Sequence, residues 1–218
     1  MTQRFRITYA RTEALRYIGN LDMQKVWERY VRRLKVPIAY SQGFHPQAKI
    51  QQACPLPLGF LSTCEITDIW VDDDLATPES ILAALMVTPQ PGIEIQGIQS
   101  VALHSPSLMT LVTHARYTAW LFDPIEPQVL QHEIERVLQA ESLIRERRRK
   151  SYDLRKLIES LTLISQDGQN TLDMLLLAQA SATGRPEAVL TELGLDSYAA
   201  RYTRTELHVK PVTEQLAA

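Results

Sequence analysis

The hydrophobic period of this chain switches between two and about 3.6 in a fixed order, and that order occurs twice. Arg4-Phe5-Arg6-Ile7-Thr8-Tyr9 alternates polar and apolar residues and reads as a half-buried strand. A helix is expected from about Asn20 to Lys35. Its apolar positions Leu21, Val26, Tyr30 and Leu34, flanked by Met23, Trp27 and Val31, recur at three and four residues. Asn20 is the expected N-cap, Asp22 suits the positive first turn, and Pro37 closes the element. Strands are expected at Ala48 to Ala53 and at Glu65 to Val71, the second ended by Asp72-Asp73-Asp74. Thr77-Pro78-Glu79 opens a helix to about Met86, with a capping threonine, a proline at the first helical position and an early acid. Ile93 to Val101 is the closing strand.

The series then restarts. Thr110 to Phe122 reads as a strand, Pro127 to Ala140 as a helix, and Leu143 to Ser165 as a basic loop leading into a strand. Thr171 to Ala180, a short helix at Pro186 to Leu193, and a strand at Tyr202 to Val209 complete it. Each half has the order β-α-β-β-α-β, which is that of the ferredoxin-like fold. The expectation is an α+β protein of two tandem ferredoxin-like lobes, 1–105 and 106–218, parted where Ser105-Pro106-Ser107 interrupts the periodicity, with a fused single sheet as the alternative.

Composition excludes several classes. Hydrophobic residues make up 45% and charged residues 22%, which places the chain among globular proteins rather than disordered ones. No uncharged apolar run approaches the length of a membrane span, and the first residues lack an apolar signal core, so a cytoplasmic protein is expected. Two cysteines, Cys54 and Cys64, cannot supply a zinc tetrad and are expected as reduced thiols; no metal and no cofactor is implied. Asp72 to Asp74 reads as a solvated turn. Charge is unevenly spread: residues 1–60 carry ten Lys/Arg against three Asp/Glu, 61–141 two against twelve, and 142–218 eleven against ten. Such asymmetry steers a polyanion to one face or docks acidic and basic surfaces together.

Two stretches carry the candidate chemistry. Arg145-Glu146-Arg147-Arg148-Arg149-Lys150 places five cations in six positions, a pattern suited to phosphate contacts, with Tyr152 the one aromatic beside it. The other is the Ser41-to-Gly59 loop beneath the basic helix. Gly43 permits a turn and Pro46 stiffens it, so that Tyr40, Ser41, Phe44 and His45 are presented near Arg29, Arg32, Arg33 and Lys49, able to cradle an anion or a stacked base. Catalytic motifs are missing: the chain has no P-loop, no Gly-x-Gly-x-x-Gly, no His-Glu-x-x-His and no Gly-x-Ser-x-Gly. His45, near Tyr40 and Lys49, is the one weak candidate for a general acid or base.

The stretch from Arg16 to Gly59 resembles the opening of the radical-SAM-linked protein family. The matching positions are Arg16 and Tyr17, Leu21 and Asp22, Arg32 and Arg33, Pro37, Ala39 to Ser41, Gly43, Phe44, Pro46, and Pro55 to Gly59. Tyr152-Asp153-Leu154-Arg155, Gly184-Arg185-Pro186-Glu187, Leu193-Gly194-Leu195 and Arg204-Thr205-Glu206 fit later parts of its pattern. The resemblance implies an accessory protein fused to, or encoded with, radical S-adenosylmethionine enzymes, some associated with RNA processing. This chain has no Cys-x-x-x-Cys-x-x-Cys and therefore no site for that iron–sulfur cluster. It departs from the family at Asn20, where a histidine is common, and at Gln47-Ala48, where a basic residue is common.

The sequence thus points to a non-catalytic recognition module that binds RNA or a partner enzyme, with Arg16, Asp22, the cations of the first helix and the Tyr40-to-Lys49 loop as its surface. Arg145, Arg147, Arg148, Arg149 and Lys150 form a second basic cluster. The alternatives are a metal-independent RNA-processing or RNA-modifying enzyme and a protein-docking scaffold.

Overall fold

A computed structural model describes residues 1–211; the last residues of the expected C-terminal lobe, 212–218, lie outside the described residues. In chain order the elements are β1 (Gln3–Arg11), α1 (Asn20–Arg33), β2 (Ile50–Gln52), β3 (Leu61–Val71), α2 (Pro78–Met86), β4 (Ile93–Val101) and α3 (Leu108–Leu111). Then come β5 (Val112–Leu121), α4 (Pro127–Gln139), β6 (Ile144–Arg147), β7 (Lys150–Asp153), β8 (Ile158–Gln166), β9 (Gln169–Gln179), β10 (Ala182–Thr183), α5 (Pro186–Glu192) and β11 (Ala200–Val209). The protein is α+β. It divides into two compact units, Met1–Val112 with the described residues from Val209 onward, and Thr113–His208. The sequence reading put the join at 105–106.

In the first unit β1 is the middle strand. It pairs antiparallel with β3 (Phe5 opposite Ile69, Arg6 opposite Asp68) and with β4 (Ile7 opposite Ile98), while β2 pairs with the outer edge of β3. The strand order is therefore β4–β1–β3–β2. One face is covered by α1 and α2, whose Met23, Trp27, Tyr30, Val31, Ile81 and Leu85 close over Phe5, Ile7, Tyr9 and Ile69. The opposite face of β1 is buried too, because Arg4 and Arg6 share the carboxylate of Asp68 instead of reaching water. The half-buried strand expected from alternation is corrected: on this strand the polar positions are inside as well.

The buried stripe of α1 is Met23, Trp27, Tyr30 and Val31, spaced four, three and one. Leu21, expected in that stripe, is 80% exposed. Asn20 is the first helical residue rather than the cap; Gly19 occupies the cap position in extended backbone, with no side-chain bond to the first turn. The C-terminus closes as a Schellman turn. The Val36 N–H reaches the Val31 carbonyl at 3.1 Å and the Lys35 N–H reaches that of Arg32 at 3.0 Å, with Lys35 itself at φ 56°. Val31 and Val36 are both buried, which supplies the apolar contact that usually accompanies this turn. Thr77 caps α2 as expected, in a reciprocal pair of bonds with Ser80.

In the second unit β5 is flanked by β9 and β11, and β8 pairs with the far edge of β9, giving the order β11–β5–β9–β8. Leu130, Ile134 and Val137 of α4 and Val189 and Leu190 of α5 are buried. Thr110, expected at the start of a strand, lies instead in the single turn of α3. Among the described residues no helix is long and apolar enough to cross a membrane, which does not bear on spanning by strands.

Candidate functional site

The first candidate surface lies in the first unit. Arg29 and Arg32 point away from the buried stripe of α1 and make no ion pair among the described residues. Arg33 is also exposed, though its guanidinium reaches the Thr88 carbonyl at 3.3 Å and Gln90 Oε1 at 3.4 Å. Asp22 pairs with Lys25 at 3.1 Å within the same helix. Arg16 is held inward: its Nε donates to the Gly59 carbonyl at 2.8 Å, and the Gly59 N–H donates back to the Arg16 carbonyl at 2.9 Å. It fixes where the Pro55-to-Gly59 segment ends, and Gly59 meets that segment's turn at φ 85°.

The Ser41 loop is shorter and better closed than its composition suggests. A bridge joins Tyr40 to Ala48; the Ser41 N–H donates to the Gln47 carbonyl at 2.8 Å, and the Gln47 N–H donates to Ser41 Oγ at 2.9 Å. Residues 42–46 form the tip. Gly43, at φ 130°, takes a conformation that side chains oppose, and Phe44 next to it stands 102% exposed. His45 and Lys49 are exposed as well, and neither side chain has a bonding partner among the described residues. Nothing therefore orients His45 as an acid or base.

The second surface lies in the second unit, where the expected basic loop proves to be a hairpin. β6 and β7 pair from Ile144 opposite Asp153 to Arg147 opposite Lys150, leaving Arg148 and Arg149 as a two-residue turn. Both have positive φ, 50° and 62°, the signature of a type I′ turn, whose central positions normally go to Asn, Asp or Gly. Asp167 and Gly168 take the same conformation between β8 and β9, at φ 52° and 76°. The chain thus uses the ordinary solution once and places two arginines in the same geometry at the other turn, at a cost of about 1 kcal/mol or more for each.

The base of the hairpin is anchored and its tip is not. Asp153 accepts from the Leu143 N–H at 2.8 Å, and Arg145 grips Glu192 of α5 through Nε at 2.8 Å and Nη2 at 2.5 Å. Arg147, Arg148, Arg149 and Lys150 are exposed and form no ion pair among the described residues. Lost hydration, then the neighbouring charges of Arg185 and Arg148, push the Arg147 pKa down from its ordinary value. Arg185, which sequence reading placed only within the family-like Gly184-Arg185-Pro186-Glu187 at the start of α5, has its Nε buried with no hydrogen-bond partner among the described residues. Among the described residues no group of three or more His, Cys, Asp or Glu is placed to hold a metal ion, and no disulfide joins Cys54 and Cys64.

An outcome follows for the turn. Replacing Arg148 by Asn and Arg149 by Gly removes side chains from a left-handed backbone without touching the ladder. Protection of the β6–β7 amides from hydrogen exchange is expected to rise about fivefold, the equivalent of about 1 kcal/mol. Unchanged or lower protection would mean that the arginines are not strained there.

The family model for uncharacterized proteins conserved in bacteria (DUF2344) matches residues 4–186. The chain belongs to this family. Every candidate residue from Arg16 to Lys150 lies inside the DUF2344 match, including the Phe44 loop and the whole basic hairpin. No curated protein matches the sequence. Solved structures give remote likenesses. An unknown protein from Galdieria sulphuraria is 14% identical, with 89% of this chain and 88% of that chain covered and a TM-score of 0.28. A candidate glycine cleavage system transcriptional repressor is 10% identical over 93% and 95%, with a TM-score of 0.25. Superpositions this loose carry no argument about function.

Proposed function

We propose that this DUF2344 protein is a non-catalytic RNA-recognition module whose β6–β7 hairpin grips the phosphate backbone. One observation carries this reading: four successive cations, Arg147 to Lys150, stand exposed and without ion pairs at the end of an anchored hairpin. Several other arginines of the same unit have their charge met by the protein. Arg116 pairs with Asp173 and Glu206, Arg136 with Glu133 and Glu192, Arg145 with Glu192, and Arg155 donates to the Leu138 and Ile158 carbonyls. Cations kept unneutralised at a strained tip suit a polyanion, since each phosphate contact releases condensed counterions. The first unit, by itself, exposes the Phe44 and Tyr40 rings, stacking surface of the kind single strands use.

This reading extends to the fold and the setting. Each unit is taken as a ferredoxin-like lobe, on the strength of the strand orders β4–β1–β3–β2 and β11–β5–β9–β8. The work is cytoplasmic, and the protein presents RNA to a radical SAM enzyme or an RNA-processing protein, as the family resemblance implies.

The test is binding of a short oligouridine as a function of salt. Glutamine at all four of Arg147, Arg148, Arg149 and Lys150 is expected to weaken binding about 100-fold at low salt. The slope of log K against log salt should fall by about 3, at roughly 0.7 per single-strand phosphate contact. Binding by the native protein with no salt dependence, or an unaltered slope in the variant, overturns the proposal. Absence of any RNA binding would favour the second reading, a partner protein docked on the fully exposed Phe44.

A further inference from the structure

β8 is a free edge of the second unit's sheet: it pairs with β9 on one side and, among the described residues, with no strand on the other. Proteins blunt such edges with lysine, proline, bulges or very short strands. In the first unit β2 is three residues long, and β4 is broken by a register shift opposite Thr8 and Tyr9. β8 has neither lysine nor proline. Its one register shift lies at its start, so Ser160 to Gln166 runs unbroken, with Ile164 in that run 50% exposed.

A groove lies beside this edge. α4 packs against β8, and Arg155 ties the two at one end, donating Nε to the Leu138 carbonyl at 3.0 Å and Nη1 to the Ile158 carbonyl at 2.9 Å. Beyond that tie a cavity of about 420 Å³ opens between Pro127, Gln128, Gln131, His132 and Glu135 of α4 and Leu163 of β8. No β9 residue lines it, which places it on the outer side of β8. The fixed charge here has one sign. Glu135 accepts from the Gln131 amide at 3.0 Å, and Glu159 and Asp167 are exposed at the two ends of β8. None of the three carboxylates pairs with a cation among the described residues. Neighbouring cations are already engaged, Arg136 by Glu133 and Glu192 and Lys156 by Asp153.

We propose that the groove between α4 and β8 takes an extended basic segment of a partner protein, added as a further strand on the edge of β8. Its backbone pairs with Ser160 to Gln166, alternate apolar side chains rest on Leu163 and the flank of α4, and Lys or Arg side chains reach Glu135 and Glu159. Charge complementarity selects this occupant, since a neutral or acidic strand would leave those carboxylates unmatched. The surface does not rest on the RNA reading, because the basic hairpin takes no part in it.

A random heptapeptide library displayed on phage, selected on the native protein, tests the groove. Enriched sequences are expected to alternate apolar residues with Lys or Arg, and the synthesised peptides to slow hydrogen exchange at Ser160 to Gln166. Glu135→Lys should weaken them about fivefold. Methylating alternate backbone nitrogens of a peptide should abolish binding in one of the two phases, because only every second N–H faces β8. Acidic sequences, no enrichment, protection confined to another strand, or indifference to both changes overturns the proposal. Dimerisation of the protein alone, with the same β8 amides protected, overturns it in favour of a second copy of this chain.

Discussion

Asp68→Ala should destabilise the protein by about 3–5 kcal/mol, because it strands two buried guanidiniums. Asp68 is 0% exposed and accepts four bonds: from Arg4 Nε at 2.9 Å and Nη2 at 2.6 Å, and from Arg6 Nε at 2.9 Å and Nη2 at 3.0 Å. Arg4 and Arg6 are 3% and 9% exposed, so neither cation can turn out to water when the carboxylate goes. Arg4 keeps its bonds to the Ser105 and Pro106 carbonyls and its place 4.7 Å from the centre of the Trp70 ring, and these hold it in position rather than neutralise it. The measurement is urea denaturation, and the decisive comparison is the double variant Asp68→Ala with Arg6→Leu. Removing a charge along with its partner should recover part of the loss. A single-variant loss under about 1 kcal/mol would mean that water or a shift of β1 relieves the arginines.

The same cluster explains where sequence reading stopped. Ten Lys/Arg in the first 60 residues looked like a basic surface. Arg4, Arg6 and Arg11 are in fact buried, with Arg11 donating to the carbonyls of Leu15 and Ile18, and Arg16 is turned inward to Gly59. Charge counting cannot see this, because the Asp68 that meets Arg4 and Arg6 is more than sixty residues away and was counted with the acidic middle. Local signals fared better. The proline and threonine at the start of α2, the β1 alternation and the α1 period each act within a turn or a strand, and those elements form near their expected bounds. The α1 stripe was legible only in outline. Apolar spacing allowed two overlapping stripes, and contact with Tyr9 and Leu85 selects Trp27 and Tyr30 while leaving Leu21 in water. Of the candidate sites, the cations were visible and their geometry was not. A run of basic residues does not signal a type I′ turn, whereas Asp167-Gly168 does, and that hairpin signal went unused. The pairing of Arg145 with Glu192, 47 residues on, depends on tertiary packing that no local pattern encodes.

Trp27→Ala should cost about 3–5 kcal/mol and should act chiefly on α1. The indole is 0% exposed, donates Nε1–H to the Tyr9 hydroxyl at 3.3 Å, and meets the Tyr9 ring edge-on at 5.0 Å. It also lies 5.8 Å from the Tyr30 ring, and the Tyr30 hydroxyl donates to the Leu85 carbonyl at 2.6 Å, so the Trp27–Tyr30 pair ties β1, α1 and α2 together. Its removal deletes the bulk of that contact and a hydrogen-bond donor at once; Trp27→Phe, which keeps a ring but not the N–H, should cost far less, about 1–2 kcal/mol. A helix of 14 residues is marginal in water by itself, and α1 has no side-chain cap at its start. Its order therefore comes from the buried stripe, and the exposed positions of Arg29 and Arg32 follow from it. Denaturation midpoints with near-ultraviolet circular dichroism measure the loss, and hydrogen exchange along α1 shows where it falls. Equal loss of protection in α1 and in the second unit, or a cost below about 1 kcal/mol, would refute the assignment of Trp27 as the residue that holds the basic helix in place.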